Sequence, residues 1–109
     1  MELTFTYIEN LASAIQVPED GILSKTHCEN EHIKVVLFGF SKGQELSEHT
    51  SSKPALLYLI EGRAKVRLGT EEREFHTGSF VYMPPHLSHA IKALTPLSLQ
   101  LVLIQSRMN

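Results

Sequence analysis

A chain of 109 residues, 42% hydrophobic and 20% charged, is long enough for one domain with its own core and too short for two of ordinary size, so residues 1–109 are read as a single domain. The balance fits a soluble globular fold and argues against a disordered or membrane-spanning chain. With 10 Lys and Arg against 12 Asp and Glu and a net charge of -2, nothing suggests a nucleic-acid surface.

The opening MELTFTYIEN carries Glu2 where a secretory signal would be basic, and the apolar run that a signal needs does not follow. The longest apolar runs, such as ALLYLI, fall far short of a membrane span. Cys28 stands alone, so no internal disulfide can form and nothing calls for an oxidising compartment. A cytoplasmic protein with no membrane partner is the expectation. In LASAIQVPED, Leu11, Ala14 and Ile15 are spaced for a short helical turn before Pro18, and a loop accounts for them equally well.

From residue 22 onward, short apolar segments alternate with turns rich in Gly and Pro, the pattern of an all-β sandwich or barrel. Strands are predicted over 22–27, 32–40, 44–49, 55–61, 63–68, 73–76, 79–83, 87–94 and 97–105. Between them SKG, SSKP, EG, GTEE, TG, PPH and TP supply the turn residues.

Successive strand side chains point to opposite faces, so alternation assigns them. In RAKVRLG, Ala64, Val66 and Leu68 face the core and Arg63, Lys65 and Arg67 face water. In HAIKAL, Lys92 points out with Ala90 and Leu94, which turns His89, Ile91 and Ala93 inward. The last segment, LSLQLVLIQ, sets Leu97, Leu99, Leu101 and Leu103 on one face. Val102 and Ile104 make the other face apolar at its end, the mark of a subunit interface.

Of the six histidines, His49, His86 and His89 lie near strand ends in the second half. The segment from Gly43 to Ile91 resembles the two sequence motifs of a small single-domain cupin. The first motif, G-x5-H-x-H-x3,4-E-x6-G, is matched by Gly43, His49 and Gly62, and the second, G-x5-P-x-G-x2-H-x3-N, by Gly78, Pro84 and His89. The resemblance covers about half the chain. It implies an all-β double-stranded β-helix, or jelly-roll barrel, with the site inside the barrel between the two motifs. It also implies a homodimer.

In metal-bearing members two histidines and a glutamate of the first motif and one histidine of the second bind a divalent ion. Here the second histidine position is Ser51 and the glutamate position is Ala55, so only His49 and His89 carry over as imidazoles. A catalytic transition metal usually needs three protein ligands, and a serine hydroxyl is a poor substitute for imidazole. Glu48 neighbours His49 and should point the other way unless a bulge intervenes, and Tyr58 is offset by three from Ala55. His86 stands where the second motif has Gly, a position that calls for positive φ. It reads as a turn residue near the barrel rim, with a metal-ligand role as the alternative.

Of the other histidines, His27 and His32 with Cys28 form H-C-x3-H, which lacks zinc spacing and reads as a surface loop. His76 sits beside a hairpin turn and should face solvent. No nucleophile elbow or phosphate-binding Gly loop is present.

Two functions of different class follow. The favoured one is a binding module whose interior pocket holds a small organic ligand. Its polar groups are His49, Ser51 and His89, set among apolar walls that include Ala55, Leu57, Leu59, Phe80, Tyr82 and Ile91. The alternative is a metal-dependent enzyme, dioxygenase- or isomerase-like. It would use His49 and His89 with a third ligand from His86, a bulged Glu48 or water, around a divalent transition metal such as Zn, Fe, Ni or Mn. Metal-free proton transfer by either imidazole is a third chemistry the residues allow.

Overall fold

Residues 3–105 are described by the computed structural model. Nine strands follow one short helical turn: β1 (Ile22–Glu29), β2 (Ile33–Phe40), β3 (Glu45–His49), β4 (Ala55–Glu61), β5 (Arg63–Leu68), β6 (Glu71–His76), β7 (Phe80–Met83), β8 (His89–Ala93) and β9 (Leu97–Ile104). They form two antiparallel sheets that face each other as a jelly-roll barrel, one ordered β1-β2-β9-β4-β7 and the other β3-β8-β5-β6. No helix among the described residues is long and apolar enough to cross a membrane.

The predicted strands are all present, and their ends move where turns dictate. β6 begins at Glu71 because Gly69, at φ 64°, and Thr70 alone close the hairpin from β5. β1 runs on to Glu29, so His27 and Cys28 belong to a strand and not to the expected surface loop. The strand is irregular between Thr26 and Cys28, and His32 lies in the turn that follows.

Alternation explains the packing. Ala64 and Val66 of β5 and His89, Ile91 and Ala93 of β8 are buried, while Lys65, Arg67 and Lys92 are exposed. The core joins Phe40, Leu57, Leu59, Met83, Leu97 and Leu99 of one sheet to Ala64, Val66, Phe75 and Ile91 of the other. Burying each large apolar side chain contributes about 1.5–3 kcal/mol, so this inter-sheet layer is the main favourable term.

β7 corrects one expectation. Phe80 and Tyr82 do not line the interior. Val81 and Met83 pair with Leu57 and Ala55 and turn inward, whereas Phe80 pairs with Tyr58 and Tyr82 with Leu56 on the outer face. Phe80 and Tyr82 stay 58% and 54% exposed. Both parities of β7 are apolar, so alternation within the segment could not choose the inner set; pairing with β4 does.

A second, smaller cluster lies outside the barrel. The segment before β1 forms a 3-10 turn, Leu11–Ser13, whose start is capped by the Asn10 side chain accepting from the Ala12 amide at 3.0 Å. It then lays Ile15 against Leu37 and Ile60, with Leu11, Ala14 and Tyr58 around them. Gly39 makes the close approach possible, because a Cβ there would stand 2.4 Å from the Gln16 carbonyl oxygen.

Candidate functional site

β3 is an edge strand, and its pairing with β8 contains the feature that builds the site. Leu46 pairs with Ile91 and His49 with His89, so three steps along β3 match two along β8. That mismatch is a β-bulge, with one extra residue on β3. Ile91 and His89 share the inner face, being two apart. Counting strictly from Leu46 would bring Glu48 beside His89. The bulge shifts the register by one and delivers His49 instead.

The two imidazoles face each other with ring centroids 4.2 Å apart and planes inclined by 58°. His49 is exposed at the barrel mouth, while His89 retains 7% of its surface. Each ring is fixed in the same way, by a carbonyl two residues upstream: Ser47 O lies 2.9 Å from His49 Nδ1, and Leu87 O lies 3.0 Å from His89 Nδ1. A carbonyl only accepts, so each Nδ1 donates and each Nε2 of the neutral ring keeps its lone pair. Burial pushes the His89 pKa below its ordinary 6.5; the hydrogen bond to Leu87 opposes that shift and the charge of a protonated His49 adds to it. The pair is therefore suited to accept hydrogen bonds at neutral pH, and to hold one proton more readily than two.

Glu48 is committed elsewhere. Arg67 Nη2 donates to its Oε1 at 2.7 Å and the Ser88 hydroxyl donates to its Oε2, both at the exposed side of the sheet. Ser51 sits half-buried in the loop after β3, with its hydroxyl accepting from the Lys53 amide at 3.1 Å. Its carbonyl accepts from the His86 amide at 2.7 Å, which ties this loop to the turn before β8. His86 adopts φ 70°, as the sequence motif requires, and is exposed. Ala55, Leu57 and Ile91 are buried in the packed core beneath the histidines.

A groove of about 310 Å³ opens on the outside of the second sheet, where the bulge lifts β3. Neither histidine lines it. Its charges pair among themselves as Lys65–Glu72, Arg67–Glu48 and Lys92–Glu45, leaving no net field for an ionic ligand.

With the barrel and its motif residues located, comparison with known proteins decides the family. A cupin-domain family model matches residues 36–104. This chain is a cupin. No curated protein sequence matches it. Among solved structures, the cupin resembles the conserved SPY1581 protein of unknown function from Streptococcus pyogenes, at 23% identity and a TM-score of 0.85 over 97% of this chain and 93% of that one. It also resembles the cupin superfamily protein DSY2733 from Desulfitobacterium hafniense, at 21% identity and a TM-score of 0.83 over 95% and 98%. A mutant of salicylate 1,2-dioxygenase from Pseudoaminobacter salicylatoxidans shares the fold at 13% identity and a TM-score of 0.73, over 77% of the cupin and 26% of that chain.

Cupins often bind metals, so the donor set needs testing. Among the described residues no three His, Cys, Asp or Glu side chains converge. Ser51 spends its hydroxyl on its own turn, Ala55 offers no donor atom, Glu48 is held on the other face, and His86 belongs to the rim. Two imidazoles alone fall short of the three protein ligands that a resident catalytic metal requires. The residues present do not fit that cofactor.

Proposed function

We propose that this cupin is a binding module whose ligand is a small organic molecule carrying hydrogen-bond donors, seated at the barrel mouth against Nε2 of His49 and His89. The observation that carries the reading is the identical anchoring of both Nδ1 atoms to backbone carbonyls, which leaves two preoriented acceptors side by side. The hydroxyl and backbone of Ser51 form the rim, and Ala55, Leu57 and Ile91 supply an apolar floor. This combination of an apolar surface with a few placed polar groups is what small-molecule sites use. No reaction is assigned to it.

The metal-dependent alternative lacks a third protein donor, and two measurements separate the readings. A thermal-shift screen of phenols, hydroxy acids and amides should raise the melting temperature of the wild type and leave a His49→Ala, His89→Ala double variant unmoved, since a ligand of the native state alone stabilises it. Elemental analysis of protein purified without a histidine tag should find no stoichiometric transition metal. A full equivalent that is lost in the double variant would overturn the binding-module reading in favour of a metal enzyme.

A further inference from the structure

The segment that precedes the helical turn has no counterpart in the site just described. Leu3, Phe5 and Tyr7 are 93%, 89% and 73% exposed, and Thr4 and Thr6 between them are exposed as well. L-T-F-T-Y is a strand-period sequence of β-branched and aromatic residues, with one apolar face and one hydroxyl face. Three large apolar side chains left in water on a segment without sheet partners is a costly arrangement for an isolated protomer.

The surface that matches it lies on the same chain. Phe80 and Tyr82 stand outward on β7, an edge strand of the five-stranded sheet. They pair with Tyr58 and Leu56 of β4, and Tyr58 in turn touches the Ile15 cluster where the segment leaves the barrel. The arm and the aromatic strip are therefore continuous on one outer face.

We propose that the occupant of this face is a second copy of the chain, bound by exchange of arms: residues 3–7 of each protomer cover Phe80 and Tyr82 of the other. The arm and its acceptor both belong to one sequence, so a two-fold pairing satisfies both copies at once and closes, whereas an unrelated partner would leave one of the two uncovered. The area agrees. With roughly 200 Å² for a large side chain, the exposed fractions of Leu3, Phe5, Tyr7, Phe80 and Tyr82 leave about 700 Å² per protomer. A two-fold pair would bury about 1,400 Å² from these side chains alone, within the ~1,200–2,000 Å² of a stable interface. Aromatic anchors of this kind carry most of the energy in such contacts.

Sedimentation velocity over a dilution series, combined with amide hydrogen exchange over residues 3–8, tests the exchange. The wild type should sediment as a dimer with slowed exchange in the arm. Phe5→Asp and Tyr82→Asp should each weaken the dimer by at least about tenfold. Tyr82→Asp should in addition release arm protection, although it lies on the other element. Phe5 is almost wholly exposed, so its variant keeps the barrel intact and its circular dichroism spectrum should be unchanged. A monomeric wild type, whose arm would then await a foreign partner, overturns the proposal. So does a dimer indifferent to both substitutions.

Discussion

Gly39→Ala is a sharp perturbation because the backbone that it would strike is part of the fold's outer cluster. A Cβ at this position would stand 2.4 Å from the Gln16 carbonyl oxygen and 3.0 Å from the Val17 Cα, so the crossing segment must retreat by about 1 Å to reach ordinary contact. The retreat opens a gap over Ile15, Leu37 and Ile60, which are now buried together. Burial of three such side chains is worth about 6 kcal/mol, and a gap of that width forfeits a quarter to a half of close-contact attraction. A loss of about 1.5–3 kcal/mol follows, against which the lower unfolded-state entropy of Ala returns only about 0.5 kcal/mol. The chain contains no Trp, so urea unfolding is best followed by circular dichroism. The melting temperature should fall by about 10 °C. A destabilisation below about 0.5 kcal/mol would show that the segment does not lie against Gly39 and would remove the anchor from which the arm extends.

Three further outcomes are expected. Acidification should cost stability: the fold favours neutral His89, so the unfolded chain takes up the proton first. Stability is then present in full above pH 6.5 and is lost as the pH falls through the lower folded value. His89→Gln should flatten that part of the profile, measured by urea midpoints, and an unchanged slope would refute the cause. Deleting Ser47 should regularise β3 and keep His49 opposite His89 while removing the carbonyl that holds His49 Nδ1. Imidazole nitrogen NMR would then show mixed tautomers at His49 alone, and a lost ring contact would mean that the bulge was misassigned. Leu57→Ala, in the centre of the core, should cost about 2–5 kcal/mol in urea unfolding, and less than about 1 kcal/mol would indicate a floor that collapses freely.

The barrel is largely legible in the sequence because its strands alternate cleanly and its turns are marked by Gly and Pro. RAKVRL and HAIKA assign their own faces, since charge falls on one parity only. FVYM cannot, having apolar residues on both, and the inward set is chosen by its neighbour β4. His49 shows the same limit at the site. Leu46 is the sole apolar residue of ELSEH and sits an odd number of positions from His49, so an inward His49 already required one irregular residue between them. That conflict was readable, whereas the place of the bulge depends on pairing with β8. The vacated ligand positions, Ser51 and Ala55, follow from motif spacing alone. The exposed arm carried its strand-like alternation in plain view, but only the fold reveals that nothing within the chain covers it.

Imidazole ¹⁵N NMR of His49 and His89, recorded at neutral pH while the phenols, hydroxy acids and amides are titrated in, tests the central claim most directly. Both rings should be Nδ1–H tautomers, with the two Nε2 resonances shifting together and saturably for at least one compound. A pair carrying its protons on Nε2, or Nε2 resonances that stay fixed across the whole series, would contradict a binding site built on these two acceptors.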